Sequence, residues 1–297
     1  MNPFLKRLGF GPDDRVVIPH ADDLGMCHAA NQAFRWIADQ DVVRTGAVMV
    51  PCPWFDEIAA YGRERSTQAD LGVHLTLNCE WDVQRWSPIS TRDPASGLLD
   101  EEGCMWRDNA SLYAHMDPKA AAAEMRAQVV RALAEGMDVT HMDTHMGSVL
   151  HPALAPAYLA LAQEYRLPAL ILKISVQALA RMGVPPESAS QLIGALEELE
   201  RSGALPIFDA MADLHAAPKG DRLGEYEARL GGLRHGLTHL VYHPALPGIE
   251  IESIADDWPI RVADFEAFSS PHLRQALERS GVFVLEYRAL RDEMRRG

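Results

Sequence analysis

Short apolar runs of β-strand type alternate with helix-like segments along the whole chain, and this alternation limits the fold more than any other feature. The strand candidates are Val16–His20, Thr45–Val50, Leu71–Leu77, Asp138–His145, Leu170–Ile174, Leu205–Asp209, Thr238–Tyr242 and Val282–Glu286. The segments between most of them carry apolar residues at a spacing of 3.6 and are rich in strong helix formers. Such units predict an α/β fold with a parallel sheet, either doubly wound or closed into a (β/α) barrel. The length of 297 residues favours a single-domain barrel over residues 1–297, with seven or eight strands that need not be regular.

A long connection at residues 78–116 interrupts this alternation. Long connections in compact domains are usually functional or disordered, and the aromatic content of this one favours an ordered loop insertion. Its tryptophans are Trp81, Trp86 and Trp106. One of them stacks on a sugar ring, or all three form the small core of the loop itself, and both interpretations stay open.

The charge and composition of the chain exclude several kinds of partner. The net charge of −14 argues against nucleic acids and anionic membrane surfaces, because both attract basic patches. No stretch approaches the ~18 consecutive apolar residues of a membrane span, and the first residues are too polar for a secretory signal. The four cysteines have no C-x-x-C spacing, so we expect reduced thiols and a cytoplasmic location.

Polar residues recur where the predicted strands end, which is where parallel α/β folds place their sites. Asp22 and Asp23 come directly after the first strand, which is predicted to end near His20. In the third strand, "LGVHLTL", the alternation of side chains places His74 on the face opposite Val73. A lone histidine of this kind is more often a hydrogen-bonded core residue, so a functional role for His74 depends on the other motifs.

The densest group of polar residues is "DVTHMDTHMGSVLHP". On an extended strand His141, Asp143 and His145 lie two residues apart and share one face. Grouping two imidazoles and a carboxylate costs desolvation unless they bind a metal or move protons; the alternative is a solvated polar loop. In "THLVYHPA" a proline ends the strand and leaves His243 at its carboxyl edge, whereas His239 lies one layer deeper and is expected to be structural.

Together these motifs predict a site for one divalent metal ion, zinc or magnesium. An aspartate and two histidines from different strands leave coordination positions open for water and substrate. Carboxylate and imidazole suit Zn²⁺ and other first-row metals, and the absence of cysteine from the motifs favours a catalytic site over a closed structural one. A second aspartate as base and a distant histidine as acid would complete the outline of metal-assisted hydrolysis.

The four motifs in combination resemble those of the YdjC-like carbohydrate deacetylase family, which is related to the polysaccharide deacetylases. They read "ADDLG" at 21–25, "GVHL" at 72–75, "HMDTH" at 141–145 and "HP" at 243–244, in the order of the family pattern. The resemblance spans the chain. It implies a (β/α) barrel that holds a divalent metal ion and removes acetyl groups from N-acetylated sugars.

The resemblance also implies a role for each motif residue. Asp23, His74 and His145 would hold the metal, as the counterparts of the family's ligands. Asp22 would be the general base and His243 the general acid. The two aspartates are assigned by analogy with the wider deacetylase pattern, so their roles are open to exchange.

Four further residues are expected to support these groups or to contact the substrate. His141 and Asp143 would lie beside the ligands, since a carboxylate often orients a ligating imidazole. The sequence departs from the family pattern at His20, where the family usually has Asn, and at two alternate positions after "HMDTH", where the family has further histidines. His151 lies later in the chain and would stand in for one of them.

Two other functions stay open at this stage. One is a metal-dependent phosphoesterase or amidohydrolase on a similar barrel, although the amidohydrolase hallmark His-x-His is absent after the first strand. The other is a non-catalytic sugar-binding protein, against which the complete set of ligands, base and acid argues. The expected partner is a small acetylated sugar, and a homodimer is neither required nor excluded.

Overall fold

Parallel strands form a sheet at the centre of the protein, seen in a computed structural model that describes residues 2–177, 186–214, 216–218 and 220–296. The strands are β1 Arg15–Leu24, β2 Thr45–Val48, β3 Asp70–Leu75, β4 Met142–Thr144, β5 Ala210–Ala212, β6 Gly236–Tyr242 and β7 Phe283–Val284. They lie in the order β4-β3-β2-β1-β6-β5, and β7 pairs with the first part of β1. The α/β fold with a parallel sheet, predicted from the alternation, is confirmed.

Two extended segments continue the sheet beyond its outer strands. Single parallel bridges join Met142 to Ala169 and Leu172 to Phe208, and Phe208 lies two residues before β5. The strand candidates at 170–174 and 205–209 therefore pair with each other through one bridge instead of forming full strands. The sheet is curled, and this arrangement is compatible with a (β/α) barrel.

Helices connect most of the strands and cover the outside of the sheet. They are α1 Pro3–Arg7, α2 His28–Ala38, α3 Phe55–Glu64, α4 Asn109–His115, α5 Pro118–Ala134, α6 Ala155–Tyr165, α7 Pro186–Ser202, α8 Arg222–Gly231, α9 Ile249–Ile254, α10 Trp258–Phe268, α11 Leu273–Ser280 and α12 Tyr287–Arg296. The start of α5 is capped by its own sequence, because the carboxylate of Asp117 accepts the N–H of Lys119 and Pro118 occupies the first position. Among the described residues no helix is both long enough and apolar enough to span a bilayer.

The period-two alternation of β1 divides the core into an inner and an outer part. Val17 and Ala21 pack outward against the helices, in one large apolar cluster. Val16 and Ile18 point to the other face, where they pack with Phe208 and with residues of α12. Both faces of β1 are buried, as expected for a central parallel strand.

The connection at residues 78–116 is ordered and partly helical. It contains a 3₁₀ turn at Pro94–Ser96 as well as α4. The buried carboxylate of Glu124 in α5 accepts the backbone N–H groups of Ile89 and Ser90 at 3.1 and 2.8 Å, which fixes the loop against the helix layer. These charge-assisted bonds satisfy backbone donors that no strand partner would reach.

Candidate functional site

The inner face of β1 changes from apolar to polar along its length. Val16 and Ile18 belong to the inner core, and the next two side chains on the same face are His20 and Asp22. The polar half is the carboxyl-terminal half of the strand, which is where parallel sheets place their sites. The two-residue alternation of the strand therefore places a histidine and an aspartate next to each other on the inner face, at the carboxyl end of β1.

A β-bulge brings Asp23 to the same place. The pairing register of β1 with β2 shifts between Ala21 and Leu24, and Asp23 has a left-handed backbone with φ of 62°. Gly46 on β2 permits the close approach, since a Cβ there would lie 2.8 Å from the carbonyl oxygen of Ala21. The expectation that the strand ends at His20 is wrong, because β1 continues through the bulge to Leu24.

The bulge lets both carboxylates face one imidazole, although neighbours on a regular strand point apart. Oδ1 of Asp23 lies 3.4 Å from Nε2 of His74, and Oδ2 of Asp22 lies 3.9 Å from the same atom. Burial alone would raise the pKa of Asp22, but His74 and the hydrogen bond from His20 hold it below its ordinary value. Both acids are therefore ionised at neutral pH.

Asp23, His74 and His145 form a group whose ligand-type atoms all lie within 4.8 Å of one another. Nδ1 of His145 lies 3.1 Å from Oδ1 of Asp23. All three residues are buried, and Oδ1 of Asp23 accepts no well-aligned hydrogen bond from any residue that the structure describes. A buried, ionised oxygen without a well-aligned donor is costly unless a cation faces it, so this group fits a divalent metal ion.

Arg261 on α10 neutralises the other oxygen of Asp23. Its Nη1 donates to Oδ2 at 2.9 Å, and its Nε donates to Asp257 at 2.8 Å. Burial works against ionisation, but Arg261 and then His145 outweigh it and hold the pKa of Asp23 well below its ordinary value. Sequence reasoning missed Arg261; the available signal was an arginine inside the apolar helix pattern "WPIRVADF", where a buried charge requires a partner.

Carboxylates outside the group of three orient both of its histidines. Nδ1 of His74 lies 2.8 Å from Oδ1 of Asp143, and Nε2 of His145 lies 2.9 Å from Oε2 of Glu80. Burial opposes charge on the rings, but the carboxylates raise the pKa of His74 well above its ordinary value and that of His145 to about 9. Carboxylate–imidazole pairs of this kind are typical of metal ligands. Glu80 was also missed, although it lies six residues after His74 along the same segment.

His20 and His141 form a chain of hydrogen bonds that ends at Asp22. Nδ1 of His20 lies 2.6 Å from Oδ1 of Asp22, and Nε2 of His20 lies 2.7 Å from Nε2 of His141. Nδ1 of His141 lies 2.9 Å from Oγ1 of Thr140. His141, Asp143 and His145 thus share the inner face as their spacing predicts, but each contacts a different partner.

His243 follows β6 and faces Asp22. Its Nε2 lies 3.9 Å from Oδ2 of Asp22, and its backbone N–H donates to Asp264 at 3.0 Å. Burial lowers the pKa of His243 below its ordinary value, against the opposite effect of the nearby aspartates. Asp264 is itself held by Nε of Arg222 and by the hydroxyl of Tyr226, both at 2.9 Å, so the backbone of His243 has a rigid anchor.

His239 lies beneath this site, one layer deeper than His243. It is fully buried, its Nδ1 lies 3.0 Å from the hydroxyl of Tyr287, and its ring centre lies 4.5 Å from that of His20. His20, Asp22, Asp143 and His239 also bring ligand-type atoms within 4.8 Å. In that second group, however, His20 and Asp22 are already hydrogen-bonded to each other.

His151 lies apart from both groups. Its Nδ1 accepts the backbone N–H of Ala153 at 3.2 Å, and its ring lies 4.2 Å from that of Tyr113. The structure therefore gives it a place in the packing of the loop after β4, and the expectation that it stands in for a site histidine receives no support from its contacts.

The three tryptophans of the 78–116 connection have different surroundings. Trp86 is buried, and Nε1 of both Trp86 and Trp106 donates to backbone carbonyls of the same connection at 2.9 and 2.8 Å. Trp81 borders the site: its ring centre lies 5.9 Å from that of His145 and 5.5 Å from the guanidinium carbon of Arg261. Trp86 and Trp106 thus hydrogen-bond within the loop, and Trp81 packs against the site.

Known proteins share this chain's sequence pattern over nearly its whole length. A family model described as "YdjC-like protein" matches residues 16–279. A carbohydrate deacetylase of Thermus thermophilus is 36% identical over 290 residues, which cover 98% of each chain. A carbohydrate deacetylase of Thermoanaerobacter pseudethanolicus is 20% identical over 277 residues, which cover 93% of this chain and all of that one.

A solved structure shares the fold. It is the crystal structure of an Enterococcus faecalis V583 protein that is named for cellobiose-phosphate cleavage. The TM-score is 0.72 at 21% identity, and the match covers 93% of this chain and 99% of the other. The two proteins therefore share their fold, a parallel sheet surrounded by helices.

Proposed function

The chain belongs to the YdjC-like protein family, and from this premise we propose that it is a metal-dependent carbohydrate deacetylase. The reaction is hydrolysis of the amide of an N-acetylated sugar, with acetate and a sugar amine as products. We place the site at the carboxyl end of the strands of a single (β/α)-barrel domain over residues 1–297. The names of the relatives support the substrate class, and the site residues support the chemistry.

The observation that carries this proposal is the group of Asp23, His74 and His145. Three buried ligand-type atoms lie together, and one of them, Oδ1 of Asp23, lacks a well-aligned hydrogen-bond donor among the described residues. A carboxylate with two imidazoles suits Zn²⁺ and other first-row divalent ions. These three residues would hold the ion, and Asp143 and Glu80 would orient the two rings.

A divalent ion held by these three residues would supply Lewis-acid chemistry, polarising the amide carbonyl and lowering the pKa of the attacking water. Asp22 accepts a proton from that water through Oδ2, because its Oδ1 is already bonded to His20. The proton then passes from Oδ2 of Asp22 to Nε2 of His243, which lies 3.9 Å away, and His243 delivers it to the departing nitrogen. Each of these proton transfers typically contributes about 10²–10⁴-fold to the rate.

Acetate release from a panel of N-acetylated sugars, with and without a chelator, tests the proposal. We expect release from at least one sugar, loss of release in the chelator and recovery on adding Zn²⁺ or Mg²⁺. The variant His74→Ala is expected to lose both metal and turnover, whereas His243→Ala keeps the metal and loses turnover. His151→Ala, outside both groups, is the matched control and should retain both.

Two outcomes would refute the proposal. Cleavage of a phosphate diester with no acetate from any sugar would make the protein a phosphoesterase on a similar fold. Binding of an acetylated sugar without turnover, at full metal occupancy, would make it a sugar-binding protein. Normal turnover in His243→Ala would remove that residue from the role of acid.

A further inference from the structure

The base in the proposed reaction, Asp22, is hydrogen-bonded to His20, which is in turn bonded to His141, and neither histidine has another function in that reaction. His20 and His141 are fully buried, and their Nε2 atoms lie 2.7 Å apart. The other nitrogen of His20 lies 2.6 Å from Oδ1 of Asp22. Two buried imidazoles joined edge to edge cost desolvation, so their retention requires a reason beyond packing.

The chemistry of these groups fixes part of the proton arrangement. An ionised carboxylate only accepts hydrogen bonds, so Nδ1 of His20 carries the proton in its bond to Asp22. The contact between the two Nε2 atoms holds one proton, because two lone pairs would repel and two N–H groups would clash. His20 is therefore bonded at both ring nitrogens and cannot rotate without breaking one of these bonds.

His141 is in turn fixed from three sides. Oγ1 of Thr140 lies 2.9 Å from its Nδ1, and the ring of Tyr287 stacks on it with centres 3.8 Å apart. On the third side the strand β3 carries Gly72, where a Cβ would lie 2.5 Å from the His141 ring. The absence of a side chain at Gly72 thus leaves space for the His141 ring.

We propose that His20 and His141 are positioning residues, which fix the carboxylate of Asp22 so that Oδ1 is held and Oδ2 faces the reaction. Oδ2 is the oxygen that lies 3.9 Å from Nε2 of both His74 and His243. Without the bond to His20 the carboxylate would turn about its own axis and move away from the neighbouring Asp23 charge. The role in turnover rests on the proposed function, but the arrangement of protons does not.

Two pairs of variants separate the hydrogen bonds from the packing. The amide nitrogen of Asn stands close to the position of Nδ1, so His20→Asn keeps the donor to Asp22, whereas His20→Leu removes it. Similarly, His141→Gln keeps a group able to bond Nε2 of His20, and His141→Leu does not. His239→Asn is the matched control, since it alters a buried histidine beside His20 that is bonded to Tyr287 instead of Asp22.

Steady-state kinetics with the best acetylated sugar is the first measurement. We expect kcat of His20→Leu to fall roughly 100-fold, with KM and metal affinity unchanged, and kcat of His20→Asn to stay within about tenfold of the wild type. His141→Leu should fall and His141→Gln should recover. Equal kcat in the Leu and Asn variants at position 20, or a loss in His239→Asn as large as in His20→Leu, would overturn the proposal.

Nuclear magnetic resonance of ¹⁵N-histidine-labelled protein is the second measurement, and it needs no substrate. We expect a protonated Nδ1 on His20 and one exchange-protected ring proton between the two Nε2 atoms, which disappears in His141→Leu. An unprotonated Nδ1 on His20 would overturn the pairing. If the wild-type protein releases no acetate, the proposed function fails on its own, and this spectrum still decides whether the pair exists.

Discussion

Replacing Glu80 tests whether the group of Asp23, His74 and His145 is a metal site. Oε2 of Glu80 lies 2.9 Å from Nε2 of His145, and its side chain is 26% exposed. An ion bound at Nδ1 of His145 would lie on the opposite side of the imidazole from the carboxylate of Glu80. Glu80 stabilises both the protonated ring and the metal-bound ring, but a doubly charged ion gains more from it than a proton does.

The size of the effect follows from this partly exposed position. A charge interaction across the ring, in surroundings between water and a protein surface, is worth about 1–2 kcal/mol. Since about 1.4 kcal/mol corresponds to a factor of ten in affinity, metal binding should weaken roughly tenfold in Glu80→Gln. Glu80→Ala also loses the orienting hydrogen bond, so its loss should approach the ~100-fold upper end for residues that orient metal ligands.

Competition with a chelating dye measures the affinity directly. As a second readout, the stabilisation of the fold by saturating Zn²⁺ should shrink by about 1.4 kcal/mol for each tenfold loss of affinity. Glu101→Gln is the matched control, because Glu101 is an exposed glutamate of the same connection. Wild-type affinity in Glu80→Ala, or the same loss in Glu101→Gln, would refute the reasoning.

Three other substitutions have outcomes that follow from contacts. Arg261→Met leaves the charge of Asp23 buried without its ion pair, so the free energy of unfolding without metal should fall by about 3–5 kcal/mol in urea denaturation. Burial works against ionisation of Asp138, but two arginines of α12 outweigh it and lower its pKa, so its stabilisation is present at neutral pH and is lost as pH falls below 3.8. Asp138→Asn should therefore cost about 1 kcal/mol at pH 7, and this cost should shrink as the pH is lowered below 3.8. Gly72→Ala should displace the His141 ring, cost about 1–3 kcal/mol in thermal unfolding and reduce kcat.

Each of these substitutions has a matched control. Arg126→Met breaks an exposed pair with Glu164 and should cost under about 1 kcal/mol. Asp56→Asn removes an exposed partner of Arg131 and should leave the free energy of unfolding at pH 7 nearly unchanged. Gly194→Ala in α7 has open space around it and should be neutral or stabilising. A control that matches its partner variant would contradict the physical reason given for that variant.

The part of the site that depends on period two could be predicted from the sequence. Alternation along β4 and the residue on either side of it places His141, Asp143 and His145 on one inner face, and parallel strands bring their carboxyl ends together with His74 and Asp23. The structure brings Asp23, His74 and His145 within reach of one ion. The roles of the individual residues, including Asp22 and His243, stay predictions.

The rest of the site depends on contacts between distant parts of the chain. Arg261 is 238 residues from Asp23 in sequence, and a helical arginine normally lies on the surface. The bulge in β1 depends on its neighbour β2, where Gly46 leaves room for it. Likewise, an extended run such as 170–174 has the composition of a strand, but whether it pairs is decided by the position of its neighbours.

The bulge imposes two independent demands on position 23. The proposed metal site would need a carboxylate there, and the backbone needs a residue that tolerates a left-handed φ of 62°. Asp and Asn are among the residues that adopt this conformation most readily, whereas β-branched and bulky residues are strained in it. Only Asp meets both demands. Asn would keep this backbone and remove the charge, so if the proposed metal site is correct, Asp23→Asn is the substitution that would abolish metal binding with the least strain on the fold.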